Sequence, residues 1–529
     1  MFYPRRVMTY SALLWQALTM LGGIVGISMP LGATEAQPSR RPNVVLILTD
    51  DQNFNTLGCY GYKVLTPHID RLAREGVRFT RFYISSPACT PSRYTCLTGQ
   101  YSSRCQAPSF LSANPPGAQS YVGWNTNLEA DGFNVARVLQ SAGYRTGFVG
   151  KWHLGGTQRD TRKKLARDAD LRDPQVAQAL AEFNEEAIAA IRRRGFDYAA
   201  SVYWQNLDGY GLNALNAHNM EWIVKGALDF IEQNKDKPFF LYMATTLTHG
   251  PSPQASLLRG DERLTPAGLL PEPIRGVMPS RASVIERVKA AGVPENMAYA
   301  TWLDDGVGAV LKKLDDLGLA ENTLVIYFSD NGEPGGGRTP HPAGKATCYE
   351  GGARVPCLLR WKGKIAPSVC ERLAQNIDIT PTILDACGVT PPKGMHLDGR
   401  SLLPLLTGQE TSWRDAVFLE IGYTRAVVTE RWKYIALRYP PQRQKAIQDG
   451  TLGRPPYHLD TSLGLQQRAH KAHPHYFDAD QLYDLQNDPD EQVNLANDPQ
   501  HAKILEEMKG RLAEWLKSFP RPFGELRRL

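Results

Sequence analysis

The stretch Asn43-Val44-Val45-Leu46-Ile47-Leu48-Thr49-Asp50-Asp51 decides the fold class. A continuous apolar, β-branched run followed at once by acidic residues is the mark of a strand buried on both faces, as in the middle of a parallel sheet. Similar runs return at residues 146–149, 238–243 (PFFLYM), 323–328 (TLVIYF) and 355–361. Amphipathic helical stretches separate them at 132–142, 219–232, 295–317 and 378–386. Thr66-Pro67 starts a further helix, with Thr as N-cap and Pro at the first helical position. The β-α-β alternation predicts an α/β fold, a large, mostly parallel sheet sandwiched by helices.

The character changes around residues 395–410. Short strand-like runs follow at 416–419, 424–429, 432–437 and 481–484, then a closing helix from about 499 to 518. The expected division is a large α/β domain over 43–395 and a smaller α+β subdomain with an antiparallel sheet over 396–529. Two stretches read as elaborations. Residues 158–194 are charged and helical, a solvated face, and 251–294 carry Pro and Gly without periodicity, a long loop over the sheet edge.

The 529 residues are 42% hydrophobic and 22% charged, values that exclude disorder, collagen and coiled coil. The net charge of +6 is spread along the chain. It does not describe a nucleic-acid binder but suits a local basic pocket for an anion. Arg5 and Arg6 precede an apolar stretch over 12–25 and small residues near Ala33 and Ala36. This reads as a signal peptide over 1–36, with a polar linker over 37–42 and no stable membrane insertion after cleavage. Eight cysteines are too few for a disulfide scaffold, and no Asn-x-Ser/Thr sequon occurs. Export to a bacterial periplasm, or secretion, is the expectation.

Three features place polar groups after predicted strands, where open α/β sheets put their sites. Asp50-Asp51 follow the first run, and Asp330-Asn331-Gly332 follow TLVIYF. Asp and Asn also commonly end strands and cap helices, so neither motif decides alone. Three carboxylates and an amide oxygen converging at one sheet edge would need a hard cation such as Ca²⁺ or Mg²⁺. The third feature is Cys89-Thr90-Pro91-Ser92-Arg93 with Leu97-Thr98-Gly99. Pro91 opens a helix there, which puts Cys89 and Arg93 at a helix N-terminus, a natural anion site.

Cys-x-Pro-Ser-Arg followed by Leu-Thr-Gly resembles the signature of the type I sulfatase family, within the alkaline phosphatase superfamily. The resemblance extends to Gly150-Lys151-Trp152-His153, Thr248-His249-Gly250-Pro251, Lys345-Ala346-Thr347-Cys348-Tyr349-Glu350-Gly351-Gly352 and Leu482-Tyr483-Asp484-Leu485. It implies that Cys89 is converted to formylglycine by a formylglycine-generating enzyme. Asp50, Asp51, Asp330, Asn331 and modified Cys89 would hold one Ca²⁺. The hydrated aldehyde would attack sulfur beside the cation and Arg93, and Lys151 and Lys345 would bind sulfate oxygens. His249, assisted by Lys345, would protonate the leaving oxygen, and His153 would deprotonate the second hydroxyl so that sulfate departs. Asn376 stands where the family often has His and is read as structural. At Asn219-Met220-Glu221 the family often has Thr-Asp, so the helix capping there differs.

The resemblance also implies the reaction, hydrolysis of a sulfate ester. An exported enzyme of this kind suits a sulfated carbohydrate, polysaccharide or oligosaccharide. Trp124, Tyr203, Trp204 and His218 either line a sugar subsite or pack in the core. Two rival readings are a phosphonate or phosphate monoester hydrolase of the same superfamily and a catalytically silent glycan-binding relative. With Cys89 modified, seven thiols remain, so at least one is free or pairs between chains.

Overall fold

The computed structural model describes residues 41–156, 165–334, 341–452 and 463–526, with side chains undescribed at 463–467. The expected signal peptide over 1–36 and most of the expected linker over 37–42 lie outside them.

Strand β1 (Asn43–Thr49) is buried at all seven residues. Its side chains enter two apolar layers alternately, because successive residues of a strand point to opposite faces. Val44, Leu46 and Leu48 join Phe240, Tyr242 and Phe328 on one side. Val45 and Ile47 join Leu241, Met243 and Tyr327 on the other. Each such side chain taken from water contributes about 1.5–3 kcal/mol, which holds β1 at the centre.

In chain order the sheet adds β2 (Val77–Tyr83), β3 (Arg145–Lys151), β4 (Tyr198–Tyr203) and β5 (Phe239–Ala244). A small hairpin, β6 (Leu264–Thr265) and β7 (Gly268–Leu269), stands apart. The sheet resumes with β8 (Thr323–Ser329), β9 (Arg354–Arg360), β10 (Ser368–Cys370) and β11 (Ala374–Gln375). Across the sheet the order is β10-β2-β9-β8-β1-β5-β3-β4, with β11 beside β2. All pairings are parallel except those of β9, which runs against both β2 and β8. The mostly parallel sheet flanked by helices is thus the architecture that the apolar runs predict.

Two expectations are corrected. Residues 251–294 are not one long loop: they form helix Pro253–Arg259, the β6-β7 hairpin and helix Arg281–Ala290. The missed signals are N-caps, since Ser252 Oγ accepts from Ala255 N and Ser280 Oγ from Ser283 N. Within 158–194 the helix is Pro174–Arg192, and it is no mere solvated face, because Val176, Leu180, Phe183, Ala187, Ala190 and Ile191 are buried. Residues 157–164 lie outside the described residues.

The second sheet is antiparallel, in the order β12 (Val417–Ile421), β13 (Thr424–Val428), β14 (Trp432–Leu437), β15 (Asp480–Asp484). Leu419, Ala426, Val428, Ile435 and Leu437 pack with Tyr83, Ala88, Tyr349 and Ala353 of the larger layer. Val427, Tyr434, Ala436 and Leu482 are covered by Leu505, Met508 and Leu512 of the helix Ala502–Leu516.

Gly150 near the end of β3 has φ +95°, and a Cβ there would lie 1.8 Å from Ala244 O on β5. Neither the turn nor the approach admits a side chain. We expect Gly150→Ala to cost about 3 kcal/mol or more in urea unfolding. Gly318→Ala, which shares a positive φ but meets nothing within 4 Å, should cost about 1 kcal/mol.

Candidate active site

Four adjacent parallel strands, β8, β1, β5 and β3, end on the same edge of the sheet. β8 delivers Asp330 and Asn331, β1 delivers Asp50 and Asp51, β5 leads to Thr248 and His249, and β3 ends on Lys151 just before His153. The chain turns sharply as it leaves these strands: Asp51 and His153 hold φ of 55° and 53°. Strained backbone of this kind persists only where its surroundings fix it. Here Asp51 N donates to Asp330 Oδ1 (3.2 Å) and Gln52 N to Ser329 Oγ (2.8 Å), tying the β1 exit to the β8 exit.

Helix α1 (Pro67–Glu75) starts with Pro67 after Thr66, but the Thr66 side chain makes no capping bond. It accepts instead from Gly58 N and donates to Asp70. Helix α2 (Cys89–Thr98) is buried along its whole length, and Cys89 is its first residue. Pro91 is therefore third and not first, yet Cys89 and Arg93 sit in the opening turns as the sequence implies. Asn376 pins this helix. Its amide donates to Ser92 O (3.2 Å) and Thr95 Oγ1 (2.6 Å), and its oxygen accepts from Ser85 N and Oγ (both 2.9 Å).

Arg93 is fully buried and donates to Asp330 Oδ2 through two nitrogens (3.0 and 2.7 Å) and to Lys151 O (2.7 Å). Lys151 Nζ donates to Asp50 Oδ2. Lys345 Nζ lies 2.5 Å from Asp51 Oδ1 and 3.2 Å from Cys89 Sγ. Cys89 Sγ is itself 3.5 Å from Asp50 Oδ1. His249 donates from Nδ1 to Gly250 O (2.6 Å), leaving Nε2 facing Asp51 Oδ2 at 3.6 Å. The structure thus gathers Asp50, Asp51, Cys89, Arg93, Lys151, His249, Asp330, Asn331 and Lys345, with His153 close enough to feel Lys151, Arg93 and Asp50.

Burial is the dominant electrostatic influence. It pushes Asp330 up to about 7, helped by the charge of Asp50 and opposed by Arg93. Burial would raise Asp50 too, but Lys151, His249, Arg93 and Lys345 more than reverse it and hold Asp50 well below the usual carboxylate range. Burial drives the Cys89 thiol up to about 12. A thiol so placed is not a thiolate at neutral pH and has little nucleophilicity. His153 and His249 are both held below the ordinary histidine value, first by burial, then by Lys151 and Arg93 for the one and Lys345 for the other. Both imidazoles are therefore neutral near pH 7.

Asn331 Oδ1 is buried without a hydrogen-bond partner, while its amide donates to Asp51 Oδ1 (2.7 Å). An orphaned buried acceptor beside three carboxylates is an all-oxygen donor set, and it fits a hard divalent cation. Asp50, Asp51, Cys89 and His249 also bring one ligand atom each to within 4.8 Å of one another.

Some groups at the site were not anticipated. Lys345 sits on a loop fastened from the second sheet. Lys433 of β14, fully buried, reaches Glu350 (2.8 Å), Glu491 (2.7 Å) and Cys348 O (3.1 Å). Tyr349 stacks on His473 at 3.7 Å, and Ala346 N donates to Pro87 O (2.8 Å), next to the Cys89 helix. The available signal was a lysine in the inward register of WKYIAL, on the face shared with Ile435 and Leu437. Of the two readings, Tyr203 and Trp204 follow the core one: Tyr203 packs on Trp222 and Trp204 on Phe183. His218 is buried with both ring nitrogens engaged, by Thr246 Oγ1 (2.8 Å) and Pro251 O (3.0 Å). Trp124 is half-buried against the second sheet's core. Asn219 caps the helix Met220–Asn234 by accepting from Trp222 N. All eight cysteines are free.

The sulfatase family profile matches residues 42–389, well over half of the chain, and the profile for the N-sulphoglucosamine sulphohydrolase C-terminal region matches 344–446. The chain belongs to the sulfatase family. It is accordingly a sulfuric ester hydrolase. This sulfatase is 32% identical to human arylsulfatase A over 498 residues, covering 89% of this chain and 85% of that one. It is 27% identical over 559 residues to the N-acetylgalactosamine-6-O-sulfatase of Bacteroides thetaiotaomicron, covering 93% and 97%. In fold it is similar to a Bacteroides thetaiotaomicron sulfatase from a study of glycosaminoglycan metabolism (TM-score 0.63, 24% identity, 91% and 100% covered). It is also similar to a structure solved with its substrate D-glucosamine-2-N,6-O-disulfate (TM-score 0.59, 21% identity, 91% and 98% covered).

Two tests follow from the site's electrostatics. Burial holds His218 and His473 at about 4, against an ordinary 6.5. Between those values the unfolded chain binds protons that the folded chain does not, so this stability is full above pH 6.5 and is lost as pH falls toward 4. Urea unfolding from pH 7 to 4 should show His218→Asn with a shallower decline than the parent, by up to one proton. Lys433→Met leaves Glu350 and Glu491 buried together without their cation. It should cost about 3–5 kcal/mol in stability and raise KM for an aryl sulfate more than it lowers kcat, because Lys345 loses its anchorage.

Proposed function

We propose that this sulfatase hydrolyses sulfate esters of a sulfated carbohydrate, using formylglycine at position 89 and one Ca²⁺, after export to a periplasm or secretion. The observation that carries the reading is Cys89 itself. It is the first residue of a buried helix, set against two carboxylates and Lys345, with its thiol pushed to about 12. As a cysteine it is a poor nucleophile in a place equipped for one. Formylglycine, hydrated to a geminal diol, supplies an oxygen nucleophile and an exit for sulfate by re-forming C=O. A divalent cation on Asp50, Asp51, Asp330 and Asn331 supplies positive charge for the sulfate oxygens.

The remaining work falls to residues of this chain. Lys151 and Lys345 are compact cations on opposite carboxylates, Asp50 and Asp51, and both can turn donors toward a bound sulfate. Arg93, locked by Asp330 and Lys151 O, contributes fixed positive charge. His249 is oriented by its Nδ1–H bond to Gly250 O, so in the neutral ring Nε2 is the free lone pair: it takes up a proton and, as the imidazolium, delivers it to the leaving oxygen. His153 is neutral, and its Nδ1 is buried without a partner, ready to take up a proton. Relatives named for N-acetylgalactosamine-6-sulfate favour a carbohydrate as the alcohol half. The basic, apolar leader and the absence of sequons favour a bacterial exported protein.

Protein made with and without a formylglycine-generating enzyme tests the reading. With it, a hydrazide should label the tryptic peptide 82–93, and the same peptide should resist thiol alkylation after unfolding. Turnover of an aryl sulfate should scale with labelling, vanish in Cys89→Ala, fall with chelation and return with Ca²⁺. Alkylation alone from a competent host would favour a silent glycan-binding relative. A higher kcat/KM for the matched phosphate or phosphonate ester would favour the rival hydrolase.

A further inference from the structure

A cavity of about 580 Å³ opens beside the site, lined by Asn216, Ala217, Pro251, Ser252, Arg172 and Arg259 among others. Two chain segments run from the site into its wall. The first is the loop of His249, whose residues Pro251 and Ser252 line the cavity. At 3.3–3.6 Å per residue, Ser252 lies within about 11 Å of His249 along the chain. The second is Asn216-Ala217-His218. The His218 ring bridges Thr246 and Pro251, its backbone N donates to Ser256 Oγ of the cavity wall (3.1 Å), and it lies in electrostatic reach of His249 and Asp50. The cavity wall is thus tied to the site through Pro251, two residues after His249, and through His218.

Its chemistry is mixed in a particular way. Leu171, Leu264, Leu269 and Pro251 offer an apolar floor, while Asn216 and Ser252 offer hydrogen-bonding groups. Asp261 is neutralised by Arg263 (2.9 Å), and Asp170 accepts from Arg172 N (2.9 Å). The guanidiniums of Arg172 and Arg259 are exposed and, among the described residues, make no contact ion pair, although Arg172 lies within electrostatic reach of Asp261, which Arg263 already holds. Apolar surface for a ring face, polar groups for hydroxyls and unpaired arginines together describe a sugar bearing a negative charge.

Resting on the sulfatase reading, we infer that this cavity is a subsite for a second, anionic sugar residue, carrying a sulfate or a carboxylate, next to the sugar whose ester is cleaved. The enzyme would then be built for an oligosaccharide with charge on neighbouring residues and not for an isolated sulfated sugar.

The test uses formylglycine-bearing enzyme with an aryl sulfate as the reporter. Sulfated oligosaccharides of two to six residues, from glycosaminoglycans and carrageenans, serve as competitors, beside matched sulfated monosaccharides and neutral-neighbour oligosaccharides. The expected result is that an oligosaccharide with a charged neighbour competes at least tenfold better than its monosaccharide or neutral counterpart. Arg172→Ala with Arg259→Ala should remove that advantage, read as the ratio of oligosaccharide inhibition to aryl sulfate KM. Equal competition by all three classes, or an advantage that survives in the double variant, overturns the subsite and leaves the sulfatase reading standing. No turnover of the aryl sulfate by fully hydrazide-reactive enzyme overturns that reading, and the subsite with it.

Discussion

Like charge in a dry place is the constraint around which this molecule is organised. Asp50, Asp51 and Asp330 are buried at neighbouring strand ends, where their mutual repulsion is weakly screened. Arg93, Lys151 and Lys345 meet them one for one, and each comes from a different part of the chain. Placing three cations that accurately requires the parallel sheet, the buried helix behind Cys89 and the loop over 341–353. The central strands are therefore as apolar as they can be, since they must fix polar groups at their ends without moving.

The second sheet completes that arrangement. Its lysine, Lys433, reaches across to the loop that carries Lys345, and glycines let the loop backbone close on itself: a Cβ on Gly352 would lie 1.8 Å from Gly344 O. Gly332 N donates to Gly352 O (2.9 Å), binding the loop to the Asp330-Asn331 turn. A region that looks accessory in the sequence is thus part of the support of Lys345, the cation set against Asp51 and Cys89. This explains why the apolar contacts of β12–β15 include Ala88 and Tyr349, both next to the site.

The sequence displays some of this openly and hides the rest. β1, β5 and β8 are legible because burial on both faces leaves an uninterrupted apolar run, and the acidic pairs after β1 and β8 mark the functional edge. β2 and β4 are not legible. VRFTRFY mixes arginine and threonine with apolar residues, since only part of it is buried, and YAASVY is a short edge strand. The helices within 251–294 hide behind serine caps in a Pro-rich stretch. The motif residues converge as their order suggests, and Lys433 shows only as a lysine in the inward register of WKYIAL, but the buried state of Tyr203, Trp204 and His218 depends on packing that no local pattern records.

The complete burial of Cys89 carries a consequence for how the protein comes to be. It occupies the first turn of a helix with no exposed residue, behind the loop that brings Lys345 to its sulfur. No other enzyme's active site can reach that sulfur once these elements have docked. Any enzymatic conversion of Cys89 must act on the extended chain. On the proposed conversion to formylglycine, maturation and folding compete for the same molecule, and the active fraction follows from which of the two is faster. On that reading a chain that folds first keeps its thiol, well packed and without its nucleophile, with its history written into a single side chain.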